Sequence, residues 1–379
     1  MLNAVLFIAD PHLAALMRDL AGKSNEFSIG SIIQLADVRY SVERTLNTTT
    51  PDVLLMEMSD FDRDVPLAAT IHRYAPDVPL VGLVSRDFQE RLNRNSNLDL
   101  TSIVAWPFTV DELERAISGA FHKSHGGIHE NLIAFLPGKA GSGSSTVVLH
   151  TAQVLAEVLK RSVLVIEGDL HSGLLSAMLD VAVRSSIREA LAEAPHIDNM
   201  SWQRCVTSVG GVDFLLTNTE IKEPVPSWTH YFQILRFAAP KYDLILVDLP
   251  EVVNSATAEI VRRARGVYVV STPEFASLKL SKQRCFELDH CGVDRGRIYA
   301  LLNRGHRTVI SPKEAEQILD CPVVATFPND YRAVQRAIKG TGFIDIRSRL
   351  GEAYVAFSKM LTGEEPEPEK RSFMDLLRK

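Results

Sequence analysis

The plainest chemistry in the chain lies in Gly138-Lys139-Ala140-Gly141-Ser142-Gly143-Ser144-Ser145-Thr146, which follows the apolar run Leu132 to Leu136 and precedes a long amphipathic segment. Glycines there let the backbone turn with its amides inward. A helix beginning at the turn adds a dipole that favours an anion. A phosphate-binding loop is spaced Gly, four residues, Gly, Lys, then Ser or Thr. Gly138, Gly143 and Ser145 fall in that register, but Ser144 stands where the lysine is required. The spacing therefore predicts a cradle for a nucleotide's phosphates over residues 138–146. Ser145 offers a hydroxyl to Mg²⁺, and the cation is displaced to Lys139.

Carboxylates follow at the distances such a cradle needs. The buried-strand run Val163 to Ile166 ends in Glu167 and Asp169, a pair suited to Mg²⁺ or a nucleophilic water near phosphates. Tyr242 to Val247 forms a second apolar strand ending in Asp248, a further metal-side carboxylate acting through water. The candidate metal ligands are Ser145, Glu167 and Asp248, and the candidate catalytic groups are Lys139 and Asp169. A late strand, Ile298 to Leu302, leads into Asn303-Arg304, and a loop reads Pro328-Asn329-Asp330.

These segments resemble the ParA/MinD-type ATPases across roughly residues 131 to 345. The deviant loop of that family reads Lys-Gly-Gly-x-Gly-Lys-Thr. Here the signature lysine matches Lys139, and the second lysine is Ser144. Glu167 replaces the first acid of the family's Asp-x-Asp switch. The resemblance implies ATP and Mg²⁺ as cofactors. Asn303, Arg304, Pro328, Asn329 and Asp330 would contact the nucleotide, and Lys139 would reach it within the subunit or across a dimer. Without the second lysine the β/γ-phosphates lack a charge that stabilises transfer, so turnover should be weak or absent.

A chain of 379 residues exceeds one ordinary core, and 46% hydrophobic residues can fill more than one. Its first 120 or so residues alternate strand-like runs, Val5 to Ala9, Val53 to Met58, Leu80 to Ser85 and Ser102 to Ala105, with helical stretches. They resemble the receiver domain of response regulators through Pro51 to Met58 and Trp106-Pro107-Phe108. Phosphotransfer there needs an aspartate acceptor, an acid pair and a lysine. This chain has Glu57, the single Asp10 and Trp106, which reads as a pseudo-receiver that docks partners or dimerises. Thr109 to Glu112 reads as a capping box.

The expected fold class is α/β with two doubly wound domains. These are a receiver-like (flavodoxin-like) domain over 1–121 and a P-loop NTPase domain of the ParA/MinD type over 131–362. A linker at 122–130 joins them, and 363–379 form a charged, disordered tail with an amphipathic end. This arrangement is similar to the TadZ/CpaE family, which implies a cytoplasmic assembly and localisation factor for a Tad/Flp-type pilus, positioned at a cell pole or inner membrane face. The resemblance also implies a homodimer with the secretion ATPase and other pilus proteins as partners. Two alternatives stand beside it, a nucleotide-free scaffold and a ParA-like DNA partition ATPase.

The formal net charge of −6 gives no global attraction to nucleic acid. The clusters Arg262, Arg263, Arg265 and Arg332, Arg336, Lys339 read as solvated helix faces. No CxxC pair occurs among the four cysteines, and Cys285, His290 and Cys291 read as incidental, consistent with a reduced compartment. No apolar run approaches the ~18 residues of a membrane span. The tail from Lys370 to Lys379 mixes bulky apolar and basic residues, as an interfacial helix does. It resembles the MinD terminus, which implies peripheral membrane contact strengthened by dimerisation.

Overall fold

The computed structural model describes residues 2–24, 26–35, 46, 49, 51–92, 100–125, 127, 129–218, 228–305, 310–340 and 342–364. The chain divides into two compact units, Met1–Gly127 and Ile128–Lys379. The tail beyond Glu364, with its expected amphipathic end, lies outside the described residues.

The first unit runs β1 (Leu2–Ile8), α1 (Pro11–Lys23), β2 (Phe27–Gln34), β3 (Val53–Met58), α2 (Phe61–Tyr74), β4 (Leu80–Ser85), α3 (Arg86–Leu92), β5 (Ser102–Trp106) and α4 (Val110–His125). Its sheet is wholly parallel in the order β2-β1-β3-β4-β5, a doubly wound arrangement. Strand β2 carries polar and small residues, FSIGSIIQ, and so lacks the apolar run that marks the other four. It pairs with β1 through a register shift at Ala4/Val5.

The division between the units falls within the expected linker at 122–130, which the elements on either side narrow. Helix α4 buries Leu113, Ile117, Ala120 and Phe121 at helical spacing and continues to His125, and the next strand begins at His129. The polar run His122-Lys123-Ser124 is the solvated end of that helix. Thr109 closes its start as a capping box, its amide donating to Glu112 Oε2 at 2.8 Å and its Oγ1 accepting from the Glu112 amide at 3.3 Å.

The second unit runs β6 (His129–Pro137), α5 (Ser144–Glu157), β7 (Val163–Glu167), α6 (Leu175–Leu179), α7 (Ile187–Glu193), α8 (Asn199–Cys205), β8 (Thr207–Val209), β9 (Val212–Leu215), α9 (Trp228–Ala238), β10 (Leu244–Asp248), α10 (Ser255–Arg263), β11 (Ala264–Ser271), α11 (Phe275–His290), β12 (Ile298–Gly305), α12 (Pro312–Leu319), β13 (Val323–Pro328), α13 (Tyr331–Ile338) and α14 (Arg349–Thr362). The sheet order is β13-β12-β11-β6-β10-β7-β9-β8, parallel except that β8 runs against β9.

Strand alternation sends each central strand's side chains to two cores. From β6, Leu132, Ala134 and Leu136 enter one core while Ile133 and Phe135 enter the other, which also receives Val147, Val148 and Leu155 of α5. Both faces are covered, so these strands read as continuous apolar runs. Helix α14 lies on α5 and β13, with Tyr354 stacked on Phe327 at 4.5 Å and edge-on to His150 at 5.5 Å.

Arg263 departs from the solvated face expected of it. It is buried, ion-paired with Glu259 and placed 4.5 Å over the Phe232 ring. A buried guanidinium is tolerated because a carboxylate and an aromatic face replace its water.

Candidate nucleotide site

Central β6, flanked by β10 and β11, delivers residues 138–143 to the carboxyl edge of the sheet, where open parallel sheets bind ligands. The Gly138 amide is held by Val270 O at 2.8 Å, and a Cβ at Gly138 would lie 1.9 Å from Ser281 Oγ. Gly143 has φ +90°, and a Cβ there would lie 2.3 Å from Asn303 Nδ2. Glycine is therefore required twice, once for space and once for conformation as well. Gly143 caps α5 without a side-chain hydrogen bond, so the first amides of α5 face the loop. Ser142 Oγ is buried and unpartnered.

The parity that builds the cores also aims the acids. Leu244 and Leu246 of β10 face the α5 core, so Asp248 does too. Ser144 Oγ donates to Asp248 Oδ1 at 3.0 Å, and the Ser145 hydroxyl also favours the ionised form of this carboxylate. Burial pushes the Asp248 acid up to about 6, partly offset by the two serine hydroxyls. A hard oxygen pair, Ser145 and Asp248, thus stands beside the cradle and fits Mg²⁺.

Glu167 shares that parity with Val163 and Val165 but does different work from the metal ligand expected of it. Its Oε1 accepts the Leu175 amide at 2.8 Å and its Oε2 the Thr217 amide at 2.7 Å, in full burial. Both oxygens are committed to backbone, tying the 168–174 loop to the end of β9. Burial pushes its acid up to about 7. Asp169 Oδ1 accepts the His171 and Ser172 amides at 3.0 and 2.8 Å, shaping the turn at the same edge.

Lys139 ion-pairs with Glu274 at 3.2 Å on the rim. Asn303 shares the face of Leu301 and donates from Nδ2 to Ser142 O at 2.9 Å, so it braces the 138–143 loop. Arg304, one residue on and left-handed at φ 58°, is exposed. Asp330 accepts the Ala333 amide at 2.9 Å and caps α13. Pro328 and Asn329 join Pro273, Leu302, Gly305 and Thr326 in lining an open cleft of about 590 Å³ at the same sheet edge. Of these five residues expected to contact the nucleotide, Pro328 and Asn329 line that cleft. Sequence reading passed over Ser281 of α11 and Glu274, the residue that caps its start, which reach the loop from far along the chain; neither belongs to a recognisable local motif.

In the first unit, Glu57 Oε2 accepts the Ala9 and Asp10 amides at 2.7 and 2.9 Å, and Asp10 Oδ1 caps α1 by accepting the His12 amide at 2.8 Å. The Glu57 carboxylate is thus engaged by the β1–α1 loop.

No protein-family model matches the chain. The septum site-determining protein MinD of Helicobacter pylori is 23% identical over 265 residues, 65% of this chain and 97% of that protein. A ParA family ATPase from Chlorobium tepidum superposes with a TM-score of 0.55 at 18% identity, covering 60% of this chain and 97% of that one. MinD of Pyrococcus horikoshii, complexed with Mg-ADP, superposes with a TM-score of 0.50 at 22% identity over 61% and 95%. At these identities the superpositions speak to the fold. The chain is thus similar in sequence to MinD proteins and shares the α/β fold of the ParA- and MinD-named structures on which it superposes.

Proposed function

We propose that the chain is an ATP-binding localisation and assembly factor that works as a nucleotide-controlled dimer with little or no turnover. One observation carries this reading: the loop keeps glycine where no Cβ fits, at Gly138 and Gly143, while Ser144, in the expected lysine position, hydrogen bonds to Asp248. Backbone amides of 138–146 and the start of α5 would hold phosphates, and Ser145 with Asp248 would hold Mg²⁺. When bound, the metal supplies charge neutralisation of the phosphate oxygens. The cleft beside Pro328 and Asn329 suits the base. Lys139 would have to exchange Glu274 for a phosphate, in its own subunit or in a second copy.

The rim supports a second copy of this chain as the partner. Leu174, Val252, Phe275 and Tyr331 are 61%, 65%, 62% and 69% exposed. They follow β7, β10, β11 and β13, the carboxyl edge that also carries the loop. An apolar rim around an anion site is the surface a nucleotide-bridged dimer would cover.

The finer reading is a TadZ/CpaE-type role in Tad/Flp pilus assembly at a pole or inner membrane face. It is supported by the order of the two units and by the first unit's 2-1-3-4-5 sheet with Glu57 at a receiver-like acceptor position. Under it the first unit docks partners, the secretion ATPase among them, without phosphotransfer.

A nucleotide-free scaffold is the second reading, favoured by the Lys139–Glu274 and Ser144–Asp248 contacts, which engage two of the loop's polar side chains within the chain itself. The experiment that separates them is Ser144→Lys. Restoring the cation should tighten Mg²⁺-ATP binding in calorimetry if the cradle is functional, whereas no binding by either form favours the scaffold.

A further inference from the structure

Four residues beyond Ser281, the residue that meets Gly138, helix α11 carries Cys285. Cys321 follows the left-handed cap Asp320 that ends α12 and precedes β13, and its Sγ lies 3.3 Å from Ile298 O. The topology brings these thiols from distant points of the chain into one small pocket of about 30 Å³, lined also by Lys282, Phe286, Arg295 and Asp320. Both cysteines line that pocket, and the Cys321 Sγ–H donates to Ile298 O. Arg295 stands 5.6 Å over the Phe286 ring and pairs with Asp289 at 3.0 Å and Asp320 at 3.7 Å.

The pair is chemically unequal. The neighbouring Cys321 side chain, and then the Arg295 guanidinium, hold the Cys285 thiol below its ordinary value against the opposing effect of burial. The neighbouring Cys285 and burial push the Cys321 thiol up. A thiolate is the nucleophile in disulfide exchange, and its population depends on such neighbours. Cys205 and Cys291, by contrast, are both pushed up by burial.

We propose that Cys285 and Cys321 form a reversible thiol–disulfide modification site, with Cys285 as the attacking sulfur, Cys321 as the resolving sulfur, and a small disulfide such as glutathione disulfide as the oxidant. The Cys285 thiolate forms an S–S bond to one sulfur of the reagent, whose own S–S bond breaks and releases one glutathione thiolate. Cys321 gives up its proton and attacks the Cys285 sulfur, forming the protein disulfide and expelling the second glutathione thiolate. The two protons lost by the protein thiols end on the two glutathiones. The protein is oxidised by two electrons and the reagent reduced by two. The product would link α11 to the α12–β13 junction. This chemistry stands independently of the nucleotide reading.

The test exposes the reduced, full-length protein to graded ratios of glutathione disulfide to glutathione, alkylates what remains free, and maps the peptides by mass. The expected result is loss of two of the four thiols as a single peptide pair joined through Cys285 and Cys321, reversed by dithiothreitol. Cys321→Ser should stop at a glutathione adduct on Cys285, and Cys285→Ser should leave Cys321 free at the same exposure. Four free thiols in the unsubstituted protein after treatment, or a first adduct on Cys205 or Cys291, would overturn the proposal without requiring any variant to fold.

Discussion

At the scale of single residues, the site turns on what replaces a missing ammonium. Ser144 gives Asp248 a hydroxyl in place of a charge, so this buried acid is left with its pKa raised. Ser144→Lys is expected to tighten Mg²⁺-ATP binding by roughly tenfold or more, about 1.4 kcal/mol, read by calorimetry. Asp248→Asn should weaken the Mg²⁺-dependent part of ATP binding by a similar factor and leave the Mg²⁺-free part in place. Equal loss with and without Mg²⁺ would remove the metal-side role. Glu167→Ala strands the buried Leu175 and Thr217 amides, which should destabilise the second unit by roughly 2–4 kcal/mol. An unchanged unfolding temperature with lost Mg²⁺ response would instead return Glu167 to the metal.

At the scale of elements, the α5 start and the β12 end act on the phosphate loop as one piece. Gly143→Ala imposes a left-handed conformation on a side chain and drives it into Asn303, breaking the brace to Ser142 O. A loss of about 1–3 kcal/mol, with nucleotide binding lost alongside it, is expected from thermal unfolding and calorimetry. Helix α5 also carries His150, buried against Tyr354, where burial brings its imidazole down to about 4. The unfolded chain binds this proton near 6.5, so the stability held above that pH is lost progressively as pH falls from 6.5 toward 4. Relative to His150→Leu, the unsubstituted protein should lose up to about 3 kcal/mol across that window. Parallel pH profiles for the two proteins would contradict this.

These elements also mark how far the sequence could be read. Apolar runs of β6, β7, β10 and β12 are visible because both faces of the sheet are buried, and Asp248 follows from where such a run stops. Glu167 was equally visible as a strand-end acid, yet its partners are backbone amides of distant loops, which no spacing encodes. Asn303 and Arg304 were legible as a pair, but strand parity and a left-handed φ separate them in space. Polar β2 escaped because an edge strand needs no continuous apolar run.

At the scale of the whole molecule, two compact α/β units divide the labour proposed here, one for nucleotide and one for partners. With a formal charge of −6, the chain is expected to pass a DNA column unretained at low salt. Salt-sensitive retention would favour the partition reading. Phe275→Glu places charge on the apolar rim beside Lys139 and should abolish ATP-linked dimers while sparing ATP binding to the monomer. The most direct test of the central claim measures ATP and ADP binding with and without Mg²⁺ by calorimetry while light scattering follows mass. Micromolar, Mg²⁺-dependent ATP binding with a shift from monomer to dimer is the predicted result. No binding at millimolar ATP would contradict it.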